Sequence, residues 1–315
     1  MKVRRAVFPV AGRGTRMLPA TKALPKVLLP VVDRPLIQLG IEEVVRSGVD
    51  QIVLVTASGQ EAIEDHFDAA PLLEATLAAE KKEDLLNVVR QAAELATVMS
   101  VRQRAPRGLA DAVLAAAPLV GDEPFMVVLP DDLIRSEVPC SRQLLDVAAE
   151  HTAGVIALQS VPREESGLYG IVETEPLGAG LHRIIDLVEK PDPAKAPSTL
   201  AIIGRYVLPP GVFSLIEQTP PGYGGEIQLP DALRLLLEDQ PLYGYEFQGH
   251  RYDCGQLLGY LQATVSMALD RPDIGEDFAI FLQEILASAS ADQPAETLKS
   301  TRGRAGSLIE GREPA

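Results

Sequence analysis

The sequence predicts an α/β fold, a mostly parallel mixed sheet covered by helices on both faces. Two observations carry this expectation. Arg5–Val10 (RAVFPV), Leu36–Ser47 and Gln51–Thr56 (QIVLVT) follow one another as strand, helix and strand, which is a βαβ unit. The later apolar runs are short and continuous rather than alternating, as strands buried on both faces are. The chain has 315 residues, enough for one large α/β domain or two of ~150 residues each.

Each element has its own signal. Arg5–Val10 is short and apolar and runs into Gly12-Arg13-Gly14-Thr15-Arg16. Leu36, Leu39, Val44 and Val45 recur at helical spacing, and Gly48 follows as a C-terminal stop. Gln51–Thr56 is β-branched and apolar, the mark of a buried parallel strand. Pro71–Leu95 is rich in Leu, Ala, Glu and Lys with no further Gly or Pro, which predicts a partly exposed helical stretch. Phe125–Leu129 and Gly154–Leu158 read as strands around a helical Ser141–Glu150, and Leu187–Lys190 and Leu200–Leu208 as later strands. Phe278, Phe281, Leu282 and Ile285 follow i, i+3, i+4, i+7, a final amphipathic helix. Residues 289–315 turn to Ala, Ser, Gln, Pro, Glu and Gly, the composition of a disordered tail.

Composition excludes several functions. Lys and Arg number 29 against 44 Asp and Glu, a net charge of −15, which argues against a nucleic-acid or anionic-membrane binder. Cys140 and Cys254 are too few for a disulfide framework or a cysteine-rich metal site. No apolar run approaches the ~18 residues of a membrane span. Met1–Phe8 is too short and charged for a secretory signal, so the expected location is the cytoplasm. Residues 1–34 nevertheless hold eight Lys or Arg and one acid, Asp33. That segment reads either as a local anion site or as a solvated charged face.

The glycine-rich run is the first candidate for chemistry. Glycines let the backbone approach a ligand and turn its N–H groups on phosphate oxygens. The run lacks the Gly-Lys-Ser/Thr ending of a P-loop, and Met17 stands where a dinucleotide fingerprint needs its third glycine. Alone, such a turn is commonly structural. Arg16 and Lys26, ten residues apart, can flank the phosphates of a triphosphate, and Pro19 and Pro25 prevent a plain helix between them.

AGRGTRMLPATKALPKVLLPVVDRPLIQ (11–38) resembles the signature of the sugar-nucleotidyltransferases, Gly-x-Gly-Thr-Arg with a lysine ten residues later. The likeness continues in family order through LPDDL (129–133), VEKP (188–191), GRYVLPPGVF (204–213), GEIQLPDAL (225–233) and YDCGQLLGYLQA (252–263). It covers residues 3 to 285 and is nearest to the uridylyl branch of the family. It implies the Rossmann-like nucleotidyltransferase fold over 1–288, with nucleotide-binding groups within about 1–135 and sugar-phosphate-binding groups within about 136–288. The implied reaction is attack of a sugar 1-phosphate on the α-phosphorus of a nucleoside triphosphate, with loss of pyrophosphate. For the uridylyl branch the partners are UTP and glucose 1-phosphate, the product is UDP-glucose, and the assembly is a dimer or tetramer.

The resemblance also assigns roles. Ala11, Gly12, Gly14 and Thr15 hold the nucleotide, Arg16 neutralises the departing pyrophosphate, and Lys26 reaches the phosphates from the other side. Gln103 and Gly108 read the uracil, and Asp131 and Asp253 hold Mg²⁺, with Asp132 the lesser candidate. Glu189 accepts from sugar hydroxyls, Lys190 holds the sugar phosphate, and a side chain at Gly170 would strike the sugar. Pro191 is expected to keep Lys190 extended. His66, His151, His182 and His250 lie in no motif and read as surface or packing residues, and Cys254 as structural.

Two stretches depart from the branch. Gly108-Leu109-Ala110-Asp111-Ala112 replaces Gly-Leu-Gly-His-Ala, with Ala110 as in the thymidylyl branch, and Val27 replaces a glutamate. Asp111 reads either as a ribose ligand or as a plain first-turn acid of a helix over Ala112–Ala117. A thymidylyl- or other sugar-1-phosphate nucleotidyltransferase therefore stays open, as does a non-catalytic paralogue that only binds nucleotide sugar.

Overall fold

The computed structural model describes residues 1–291, so the expected tail lies, beyond Ala291, outside the described residues. The chain forms two compact units, residues 1–263 and residues 264 onward.

β1 (Arg5–Pro9) leads through short 3-10 turns and a two-residue ladder, β2 (Pro30–Val31) with β3 (Arg34–Pro35), into α1 (Leu36–Arg46) and β4 (Gln51–Thr56). After α2 (Ala62–Asp65), the stretch expected as helix over 71–95 forms two pieces, α3 (Pro71–Ala79) and α4 (Glu83–Ala93). They separate where Lys81 takes a left-handed φ of 58°. Then come β5 (Thr97–Arg102), α5 (Leu109–Ala115), α6 (Ala117–Val120), β6 (Phe125–Val128), β7 (Asp132–Arg135), α7 (Cys140–His151) and β8 (Gly154–Ser160). A hairpin of β9 (Gly170–Gly178) and β10 (Leu181–Glu189) follows, then β11 (Leu200–Leu208), α8 (Val212–Gln218) and α9 (Leu229–Leu236). The chain continues with β12 (Leu242–Glu246), β13 (His250–Asp253), α10 (Leu257–Leu269) and α11 (Gly275–Ala291).

Among the described residues nine strands form one mixed sheet in the order β5-β4-β1-β6-β11-β8-β12-β10-β9. β5, β4, β1 and β6 are parallel, as are β8 and β12. β11 runs against β6 and β8, and β10 against β12 and β9.

Alternation along the parallel strands explains why helices cover both faces. Ala6, Phe8, Ile52, Leu54, Met126 and Val128 join Ile37, Ile41, Val44 and Leu144 of α1 and α7 in one apolar cluster. Val7, Val53, Val55, Phe125 and Val127 join Val113, Phe213, Ile216 and Leu233 of α5, α8 and α9 in the other. Each such large side chain gains about 1.5–3 kcal/mol from burial, so neither face can be left to water. Because β1, β5 and β6 point the same way, the loops leaving them, 10–29, 103–108 and 129–131, share one edge of the sheet, where ligands of open α/β sheets gather. In the second unit α11 carries the expected apolar face, but Phe281 and Ile285 on it remain exposed.

Candidate active site

The loops leaving β1 and β5 enclose a cleft of about 490 Å³, within the range of small-molecule sites. Ala11, Gly12, Thr15, Gln103 and Gly108 line it together with Arg13 and Glu226. Gly14 lies behind them in a left-handed conformation (φ 63°), and a Cβ there would meet the Cβ of Lys26 at 2.9 Å. Only glycine lets the loop lie this close to the lysine. Arg16 stands exposed on the same loop.

Gly108 has a similar constraint. Its φ is 111°, and a Cβ would come within 2.6 Å of the Ile227 carbonyl oxygen. The Ile227 N–H donates to the Arg107 carbonyl at 2.7 Å, and the Ala110 N–H donates to the Ile227 carbonyl at 3.2 Å. The GEIQLP segment thus braces the loop 103–108, a role its sequence did not disclose. Ala110 and Val27 are both buried in apolar clusters, so neither departure from the uridylyl branch reaches the cleft with a polar group. α5 starts at Leu109 rather than Ala112. Asp111 is therefore buried in its first turn, where it pairs with Arg107 at 2.6 Å and accepts from Gln103 Nε2 at 2.8 Å. The first-turn position expected for this acid is the one observed, with the carboxylate buried against Arg107 and Gln103.

A second centre forms beside the glycine-rich loop. Lys26 Nζ lies 2.5 Å from Asp131 Oδ2. A Cβ on Gly255 would sit 2.9 Å from Asp253 Oδ1, 3.1 Å from Asp131 Oδ2 and 3.9 Å from Lys26 Nζ. Three charged groups thus surround a space that glycine keeps clear. The small ribbon of β7 and β13 brings the two carboxylates together by pairing Asp132 with Asp253, and the Cys254 N–H donates to the Asp131 carbonyl at 2.8 Å. Burial pushes the Asp131 carboxyl up, but the Lys26 ammonium outweighs it and holds the group below its ordinary value. Asp132 is raised by burial and by the neighbouring Asp131 charge. It is already bonded to Arg251 and to the Gly204 N–H, which suits a structural part better than a ligand. Burial and the adjacent carboxylates push the Cys254 thiol up to about 12, leaving it inert.

Asp131 and Asp253 are hard oxygen donors around a kept space, which fits a divalent cation of the Mg²⁺ type. Among the described residues no group of three His, Cys, Asp or Glu side chains is set to hold a metal. The remaining positions would come from phosphate oxygens and water.

A buried charge pair, unforeseen from sequence, sets the turn that carries Asp131. Arg205 of β11 is fully buried and pairs with Glu43 of α1 at 2.8 Å. Its other N–H groups donate to the carbonyls of Leu129 at 2.8 Å and Asp132 at 2.9 Å, on either side of Asp131. Ser141 donates to Glu43 through both backbone and hydroxyl. Burial raises the Glu43 carboxyl, yet Arg205 overcomes this and holds it lower. The available signal was an arginine inside an apolar strand, LAIIGRYVL.

At the end of the β9–β10 hairpin Glu189 pairs with Gly170. Lys190 Nζ lies 3.1 Å from Glu189 Oε1 and 5.1 Å over the Tyr223 ring. The expectation that Pro191 keeps Lys190 extended is corrected, because Lys190 has φ 43°. Its N–H donates to the Tyr169 carbonyl at 2.9 Å, and this turn out of the strand outweighs the local preference. Such backbone costs on the order of 1–3 kcal/mol and clusters at functional sites. A Cβ on Gly170 would press on Ile202, Glu189 and Pro230 at 3.0–3.2 Å, so the protein itself crowds this position. Arg251 connects the two centres: it bonds Asp132, lies 3.4 Å from the Tyr169 hydroxyl and stacks over that ring. The four histidines are engaged elsewhere, His66 with Gln38, His151 on Tyr243, His182 with Glu246 and His250 on Tyr252.

Residues 6–269 match the model of the nucleotidyl transferase family, and the chain belongs to that family. Over 285 residues it is 44% identical to the UTP–glucose-1-phosphate uridylyltransferase of Bacillus subtilis, covering 90% of this chain and 98% of that one. Among solved structures it is similar to a UTP-bound UGPase from Acinetobacter baumannii, with TM-score 0.84, 40% identity, and coverage of 90% and 99%. It is also similar to a UDP-glucose pyrophosphorylase complexed with UDP-glucose, with TM-score 0.79, 38% identity, and coverage of 86% and 100%.

Proposed function

We propose that this chain transfers the uridylyl group of UTP to glucose 1-phosphate, giving UDP-glucose and pyrophosphate. One observation carries the reading: Lys26, Asp131 and Asp253 converge around the space at Gly255, with Lys26 packed against the loop that lines the nucleotide cleft. The likeness to the Bacillus subtilis uridylyltransferase supports the choice of substrates.

The physical problem is to bring a dianion up to a polyanion. At about 4 Å each pair of like charges costs ~1 kcal/mol in water and ~4 kcal/mol at an effective dielectric of 20. Backbone N–H groups of the glycine-rich loop receive the triphosphate, and Arg16 and Lys26 neutralise it from two sides. Asp131 and Asp253 would hold Mg²⁺, which supplies further neutralisation of phosphate charge when bound. Lys190 holds the sugar phosphate, and Glu189 accepts from sugar hydroxyls. The inert Cys254 and the engaged histidines favour direct displacement, so positioning and charge supply the catalysis. In this reading the nucleotide groups fall within residues 1–135, and the sugar-phosphate groups and Asp253 come later in the chain. Work in the cytoplasm, without nucleic acid or membrane, belongs to the same proposal. So does a homo-oligomer, for which the exposed Leu257, Leu258 and Leu261 of α10 offer apolar surface.

Pyrophosphate release with UTP, dTTP, CTP, ATP and GTP, each offered with several sugar 1-phosphates, tests the reading. UTP with glucose 1-phosphate should give the highest kcat/KM. Preference for dTTP would move the chain to thymidylyl transfer, and no product with any pair would overturn the enzyme reading.

A further inference from the structure

We propose that Asp111 sets the base preference of the cleft by locking the side-chain amide of Gln103 in one orientation. The inference rests on the reading that this cleft receives the base of the nucleotide.

Gln103 Nε2 donates to Asp111 Oδ2 at 2.8 Å and to the Gly108 carbonyl at 3.1 Å. Both partners can only accept, so both amide hydrogens are used on the protein side. The opposite orientation would set the glutamine oxygen against a carboxylate and a carbonyl at once. Arg107 holds the other carboxylate oxygen at 2.6 Å, and the backbone N–H of Gln103 is tied to the Thr56 carbonyl at 2.9 Å. The glutamine is thus anchored at both ends. Its Oε1 accepts from no protein group among the described residues, and the residue lines the cleft.

A locked glutamine offers a base one thing, an acceptor. Uracil and thymine carry a donor at N3–H and satisfy it. Cytosine carries a lone pair at N3, so two acceptors would face each other, and a site whose polar groups are stranded rejects such a ligand. A glutamine free to turn over could offer its NH₂ group to cytosine instead. Asp111 is therefore a positioning residue: it acts through Gln103 and selects keto pyrimidines over cytosine. It does not separate uracil from thymine, which share the N3–H edge.

The test is the ratio of kcat/KM for UTP over CTP in the wild type, Asp111→Asn and Gln103→Leu. The Asn variant keeps the shape and reverses the demand: Arg107 claims the new amide oxygen, and the new NH₂ faces Gln103. The ratio should fall roughly 10-fold or more, through KM rather than kcat, since one mismatched buried hydrogen bond is at stake. If the Asn variant does not fold, Asp111→Ala removes the shorter of the two bonds that hold the amide and carries an expectation of the same direction. An unchanged UTP/CTP ratio in a folded Asp111 variant, with Gln103→Leu impairing UTP use, would overturn the lock alone. Gln103→Leu without effect on either nucleotide would overturn the reading of the cleft, and the lock with it.

Discussion

Burial and charge oppose each other at Asp131, and charge wins. Burial alone would raise its carboxyl, yet Lys26 keeps it low and therefore charged. The proposed function makes the same demand: negative charge to hold a cation and positive charge to hold phosphate, side by side. Asp253→Asn removes one charge with little change of shape, and kcat should fall on the order of 10²-fold or more, because oriented charges supply several kcal/mol. A near-wild-type rate at limiting Mg²⁺ would contradict the assignment. Lys190→Ala should act on the other substrate. Calorimetry should show UTP binding nearly unchanged while KM for glucose 1-phosphate rises sharply, and equal loss for both substrates would contradict the placement.

The turn after β6 owes its shape to α1 and β11 more than to its own residues. Arg205→Met leaves the Glu43 carboxylate buried without its counter-charge, with only Ser141 still donating to it, which should cost about 3–5 kcal/mol in urea unfolding. Because the Glu43 carboxyl is held below its ordinary 4.5, the pair's contribution is full above that pH. It should drain away as pH falls through the lowered value. The urea midpoint of the wild type should therefore drop below pH 4.5 more steeply than that of Glu43→Gln, and parallel profiles would contradict the account. Gly108→Ala tests the loop 103–108: its Cβ would drive into the Ile227 carbonyl, and KM for UTP should rise roughly 10-fold or more if the loop moves. These dependences explain what the sequence could and could not disclose. Continuous apolar strands, the βαβ unit and the glycine-rich run are local patterns, and they were readable. The end of β10 was also read, as Leu187–Lys190, whereas β5, β9 and β12 were not; in β9 exposed residues such as Glu173 and Glu175 interrupt the apolar signal. Glu43, Arg205 and Arg251 become partners only when distant segments meet.

For the molecule as a whole, one sheet edge collects loops from β1, β5 and β6, and the separate β7–β13 ribbon adds Asp253, so a cleft and a charged centre arise next to each other. Ala11, Gly12, Thr15, Gln103 and Gly108, named from separate motifs in the sequence, line one cleft. What no linear reading supplied was the path between centres, through Asp132, Arg251 and Tyr169. In the proposed reaction the α-phosphorus of UTP moves to the sugar phosphate. UTP labelled at that phosphorus, incubated with glucose 1-phosphate and Mg²⁺, should yield UDP-glucose carrying the whole label and unlabelled pyrophosphate. Label released as pyrophosphate or free phosphate, with no labelled UDP-glucose, would contradict it.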